Sequence, residues 1–186
     1  MINPLHIART LADVLAANEI DYAIGGALAL GFYAEPRATM DVDINIFVSP
    51  ARVTEVVLNV LSGIGFKPDD PARVQETAQA DGQFRGRIEG VRVDVFVPAI
   101  DYYASLAARR RTVMLNDRSL QILGPEDLLV LKMMFFRRKD LADAEAVLRS
   151  TELIDCGFVR RHLVEFVSDD DPRIEEWDQL VSETRG

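Results

Sequence analysis

The stretch IGGALALGFYAEPRATMDVDINIFV, residues 24–48, decides how this chain folds. Tyr22-Ala23-Ile24 runs into it as a short apolar strand, and Gly25-Gly26 supplies a turn. Ala27 to Tyr33 reads as a helix, and Asp41 to Val48 as the next strand. Aspartate is depleted from strand interiors, yet this strand opens on Asp41-Val42-Asp43. The two-residue period of a strand puts Asp41 and Asp43 on one face, with Cα atoms about 6.5 to 7 Å apart.

Working outward, Asn3 and Pro4 read as the cap and first turn of a helix that ends near Asn18, with Leu5, Leu11, Val14 and Leu15 on its apolar face. Downstream, Ser49-Pro50 reads as the cap of a helix carrying Val53, Val56, Val57, Val60 and Leu61. The polar stretch from Asp69 to Gly82 has no clear period and reads as a loop. Phe84 to Glu89 and Val91 to Val97 form a strand pair joined at Gly90. Arg111 to Asn116 and Ser119 to Leu123 form a second, turned by Asn116-Asp117. From Gly124-Pro125 the pattern is helical, broken mainly at Pro172. The fold class is therefore α+β: a mixed β-sheet flanked by helices with a C-terminal helical extension. It divides into a core over 1–124 and a helical region over 125–186. In that tail Asp169-Asp170-Asp171 marks a helix stop and the next cap, while Trp177, Leu180 and Val181 either pack on the bundle or dock a partner.

A third aspartate stands inside a strand at Val93-Asp94-Val95. If Asp94 neighbours the Asp41–Asp43 strand and faces the same way, three carboxylates gather, and they repel unless cations sit among them. Mg²⁺ suits such a set, because it prefers oxygen donors and shares them with substrate phosphates. Two ions about 3.5 to 4 Å apart can stabilise both attacking and leaving oxygens in phosphoryl transfer. Glycines 25 and 26 let backbone approach a phosphate, which points to a nucleoside triphosphate. Each piece alone has a plainer reading, as polar surface or an ordinary turn. Their order along the chain is what carries information.

The bulk properties set the limits. With 186 residues, 48% hydrophobic and 27% charged, the chain has globular composition and length for about one domain. A net charge of −9 opposes non-specific DNA binding, although Arg109-Arg110-Arg111 and Arg137-Arg138-Lys139 are local basic exceptions. The single cysteine, Cys156, has no partner for an internal disulfide, and two histidines are too few for a structural zinc site. The N-terminus lacks the pattern of an export signal and no run is long enough to span a membrane, so a cytoplasmic protein is expected.

Ile24-Gly25-Gly26, Arg37-Ala38-Thr39, Asp41-Val42-Asp43-Ile44 and Val93-Asp94-Val95 together resemble the DNA polymerase β-like nucleotidyltransferase superfamily. The string from Gly25 to Val48 is similar to its small bacterial branch related to AbiEii-type toxins. The segment from Pro125 through Lys132, Arg137, Lys139-Asp140 and Asp143 resembles that branch's helical part. The resemblance implies a Mg²⁺-dependent transfer of an NMP group from an NTP to an acceptor hydroxyl. Asp41, Asp43 and Asp94 would be the catalytic and metal-binding carboxylates, holding two ions. Gly25, Gly26, Arg37, Thr39 and Lys132 would bind the nucleotide; Asp140 and Asp143, three apart on one helical face, either orient Lys132 or Arg137 or supply solvated charge at a helix start. One departure is Gly26, where the signature often carries serine. The acceptor is left open among RNA such as tRNA, a protein and a small molecule. A toxin with an antitoxin partner is the first reading. An aminoglycoside-modifying enzyme and a non-catalytic nucleotide-binding module are the alternatives.

Overall fold

The first helix begins where the sequence places its cap: in the computed structural model, which describes residues 3–185, the Asn3 side chain accepts from Leu5 N at 2.9 Å and α1 runs Pro4–Ala17. Its buried stripe is Ile7, Ala8, Leu11, Ala12 and Leu15, while Leu5 and Val14 lie at its margins. Strand β1 (Tyr22–Ile24) follows, then α2 (Gly26–Leu30), which starts one residue earlier and stops three earlier than the pattern suggested. Strand β2 is Asp41–Ile46.

The helix expected after Ser49 is three pieces: a 3₁₀ turn at Pro50–Arg52, a π-helical turn at Val53–Leu58 and α3 (Asn59–Ser62). Ser49 contributes no side-chain cap. Val53, Val57 and Leu61 still recur on one buried stripe, whereas Val56 and Val60 are half-buried. After the two-residue strand β3 (Lys67–Pro68), the segment read as a loop contains α4 (Val74–Asp81). That helix buries only Val74 and Ala78, too little for a visible period, and packs on the strand that follows it.

Strands β4 (Gln83–Ile88) and β5 (Val91–Phe96) are joined by Glu89 and Gly90, both at positive φ. Helix α5 (Tyr102–Arg109), which the sequence reading did not include, leads to β6 (Arg111–Leu115) and β7 (Arg118–Ile122). Asn116 and Asp117 both take the left-handed conformation that a two-residue hairpin turn requires. The sheet order is β3-β4-β5-β2-β1-β7-β6; β1–β7 and β2–β5 are parallel and the other pairs antiparallel, a mixed sheet as expected. Val42, Ile44 and Ile46 of β2 and Val91, Val93 and Val95 of β5 are buried on the sheet's apolar side.

The chain forms two compact units. One comprises Met1–Leu28 and Ala38–Leu123 and holds the sheet; the other comprises Ala29–Arg37 and Gly124–Gly186. In the second, α6 (Pro125–Phe135), α7 (Arg138–Ser150), α8 (Cys156–Val167) and α9 (Pro172–Arg185) pack on one another. Asp171 accepts from Arg173 N at 2.9 Å and caps α9, and Trp177 is buried, so α9 docks through its core face. No helix among the described residues is long and apolar enough to cross a membrane.

Candidate active site

Parallel pairing of β2 with β5 sets Asp43 beside Asp94 and Asp41 beside Arg92. Neighbours in a parallel register point to the same face, so the three aspartates share the polar side of the sheet. Val42, Ile44, Val93 and Val95 occupy the other side and are completely buried, which fixes the alternation. Slipping either strand by one residue would put carboxylates into the core.

Gly25 and Gly26 follow β1, the antiparallel neighbour of β2, and Gly25 N donates to Asp43 O at 2.9 Å. Gly26 has φ +55°, and a Cβ placed there would overlap Asp43 Oδ2 and lie 2.7 Å from Asp43 Cγ. The missing side chain is thus the room in which the Asp43 carboxylate sits. This gives a physical reason for glycine where related signatures often carry serine. Gly25 is less constrained: a Cβ there would meet Asn45 Nδ2 at 3.1 Å and Leu123 Cδ1 at 3.3 Å.

Cations already attend two of the carboxylates. The Thr39 hydroxyl donates to Asp41 Oδ1 at 2.5 Å, and the Arg92 guanidinium bonds Asp41 Oδ2. Asp94 is 8% exposed; Arg85 bonds its Oδ1, and Arg92 Nε lies 3.1 Å from its Oδ2. The hydrogen bond to Asp94 holds the Arg85 guanidinium above its ordinary pKa. Among the described residues no three acidic, histidine or cysteine side chains converge tightly enough to enclose an ion. The expected gathering is present in register, while the Asp41 and Asp94 oxygens turn toward guanidiniums. In ligand type the three carboxylates fit a hard divalent ion, all being oxygen donors on one face, but the Asp41 and Asp94 oxygens would have to leave Arg85 and Arg92 to converge on it.

Arg85 and Asp94 also line a cleft of about 320 Å³ whose other wall includes Asp70, Arg73, Thr77 and Asp81. Most of that wall is α4 and its entry. Arg85, Arg92 and this wall are what the sequence reading missed. The only signal for the arginines was an Arg two positions before Asp94 and another facing it across the Gly90 hairpin.

Lys132 and Arg37 belong to the helical unit and are committed to carboxylates there. Lys132 Nζ lies 3.2 Å from Asp140 Oδ1 and 2.6 Å from Asp143 Oδ2. Arg37 grips Asp143 with two bonds of 2.7 and 2.8 Å, and Arg137 reaches Asp140 at 2.5 Å. Asp140 and Asp143 therefore both pair with Lys132, and Asp140 pairs with Arg137 as well. Burial pushes both carboxyls up, but the ion pairs outweigh it and hold both below the usual aspartate value. A lowered native pKa contributes stability above the unfolded pKa, about 3.9, and that stability is lost as pH falls through the native value. Lys132→Met should cost about 3–5 kcal/mol by leaving two buried carboxylates short of a cation. Without Lys132 the two carboxyls lose one cause of their lowered pKa, so their native values rise and the stability gap to wild type narrows as pH falls. Urea midpoints measured from about pH 7 to about pH 3 would show both the cost and the narrowing; a gap that stays constant with pH would refute the coupling.

No curated protein matches this chain. Among solved structures it is similar to the antibiotic-resistance factor ANT(2'')-Ia in its solution structure, with TM-score 0.64 at 11% identity over 88% of this chain and 90% of that one. An antigenic nucleotidyltransferase-like protein from Paracoccidioides brasiliensis gives 0.58 at 20% identity over 93% and 91%. The lincosamide antibiotic adenylyltransferase LnuA in its lincomycin-bound structure gives 0.55 at 14% over 77% and 95%. These likenesses establish the fold. The family model described as nucleotidyl transferase of unknown function (DUF2204) matches residues 5–177, so the chain belongs to that family, with the polymerase β-like nucleotidyltransferase fold its sequence led us to expect.

Proposed function

We propose that this protein transfers an NMP group from an NTP to the hydroxyl of an acceptor in a divalent-metal-dependent reaction. The observation that carries the reading is the register of Asp43 with Asp94, with Asp41 on the same face and the Gly25-Gly26 turn against Asp43. The acceptor oxygen attacks the α-phosphorus, the α–β phosphoanhydride bond breaks, and pyrophosphate leaves. Asp41 and Asp43 would hold two Mg²⁺ ions and Asp94 one of them, supplying charge neutralisation on the phosphates and a more acidic acceptor hydroxyl. Asp94 is the carboxylate we assign to receive the acceptor's proton. Thr39 keeps Asp41 oriented, and the turn at Gly25 and Gly26 gives the triphosphate close access to backbone. Catalysis then comes from positioning and electrostatics.

The cleft beside Asp94 is our candidate acceptor site. Asp69, Asp70 and Asp81 on its wall and a chain charge of −9 favour a small cationic, hydroxyl-bearing acceptor, of which an amino-sugar antibiotic is one kind. The exposed run Arg137-Arg138-Lys139 favours a second reading, an RNA acceptor such as tRNA in a toxin–antitoxin setting. The test supplies each α-labelled NTP with Mg²⁺ to three acceptor pools: amino-sugars, total RNA and protein. Label on an amino-sugar, lost with a chelator, is the expected result. Label confined to RNA selects the second reading, label confined to protein overturns both acceptor readings while leaving transfer standing, and nucleotide binding without product in any pool refutes transfer.

A further inference from the structure

Arg92 stands beside Asp41 in the β2–β5 register, and Asp94 follows two residues later on the same face of β5. Its guanidinium bonds Asp41 Oδ2 and sets Nε 3.1 Å from Asp94 Oδ2, so one side chain spans carboxylates on adjacent strands. Arg85, opposite Asp94 in the β4–β5 register, holds the other Asp94 oxygen. Asp94 is buried, and a carboxylate out of water requires a cation or a proton. Arg85 meets that need from one side; Arg92 is the residue that ties Asp94 to Asp41.

We infer that Arg92 is a positioning residue: a resident counter-cation that holds Asp41 and Asp94 together in the metal-free protein and competes with a divalent ion for their oxygens. This rests on the metal-dependent reading above. Asp41 Oδ2, an oxygen that a metal would use, is hydrogen-bonded to the guanidinium, and Asp94 Oδ2 is ion-paired with its Nε at 3.1 Å without a hydrogen bond. Metal entry therefore requires Arg92 to swing off, and metal affinity is set lower than three unpaired carboxylates would give. The same side chain removes the repulsion that would otherwise splay β2 from β5 before metal arrives.

The test measures Mn²⁺ binding to the full chain, from the spin-resonance signal of free Mn²⁺, for the wild type, Arg92→Gln, Arg92→Lys and Asp43→Asn. Arg92→Gln is expected to bind about tenfold more tightly, the attraction being partly screened by solvent at a half-exposed guanidinium. Its melting temperature should be lower without metal and rise further with Mn²⁺ than the wild type's. Arg92→Lys keeps the charge but loses the planar fork, and should bind between the two. It remains informative if the Gln variant does not fold. Asp43→Asn should bind more weakly than wild type. Arg92 variants that bind no more tightly than wild type overturn the inference while leaving the metal site standing. Absence of Mn²⁺ uptake by wild type and both Arg92 variants overturns the metal reading itself, and the inference with it.

Discussion

Asp43→Asn is expected to lower nucleotide transfer by about a hundred- to a thousandfold or more while leaving the fold intact. The substitution is isosteric, so the space over Gly26 stays filled and the β2–β5 register is undisturbed. What changes is charge and donor strength: a neutral amide is a poor ligand for a hard cation and adds no negative potential where phosphates and metal meet. The measurement is transfer of α-labelled nucleotide to the accepting pool, with the melting temperature recorded alongside. Asp94→Asn should fall as far in activity, and there the amide also leaves Arg85 and Arg92 without their shared anion. Wild-type turnover by both variants would end the catalytic assignment. Loss of turnover accompanied by a collapsed melting temperature would mean that the carboxylates serve the fold instead.

The second large effect is at Gly26. Gly26→Ala combines a left-handed backbone that L side chains rarely adopt with a Cβ driven into the Asp43 carboxylate, so we expect a loss of about 2–5 kcal/mol. Transfer should vanish as well, because Asp43 must rotate away to make room. Gly25→Ala, whose Cβ would meet its nearest atom at 3.1 Å, should cost only about 1 kcal/mol. Denaturant titration separates the two. A double variant sharpens the point: Asp43→Ala placed in the Gly26→Ala background removes the overlapping Oδ2 and Cγ but keeps a Cβ at 3.0 Å, so it should recover most of the steric part of the lost stability, leaving the backbone part, and recover no activity. If Gly26→Ala alone is as stable as wild type, the packing of Asp43 against the turn has been misjudged.

Much of this site was legible because aspartate inside a strand is an anomaly. Asp41, Asp43 and Asp94 stood out against flanking valines and isoleucines, and alternation alone assigned each to the polar face. The two-residue turns announced themselves too, Asn116-Asp117 by composition and Gly90 by its lack of a side chain. Arg85 and Arg92 could not be read this way. An arginine on a polar strand face is ordinary, and its pairing with Asp94 depends on which strand neighbours which, a fact of tertiary register. Helix α4 was hidden for a different reason: with Val74 and Ala78 its only buried positions, it has almost no apolar period. Lys132 has Asp140 and Asp143 around it in its own helical unit, a pairing that its spacing along the chain offered. Sequence spacing can bring charges to one neighbourhood, but only the fold shows which opposite charge each one finds.

The helical unit is stitched from two distant pieces of chain, Ala29–Arg37 and Gly124–Gly186, and Arg37 supplies one of the two guanidiniums in its buried charge network. Recombination between relatives at the Leu123–Gly124 junction would hand on Asp143 without the arginine that pairs with it. Inheritance of this half of the molecule is therefore not modular along the chain, and Arg37 and Asp143 should change together in descent although 106 positions separate them.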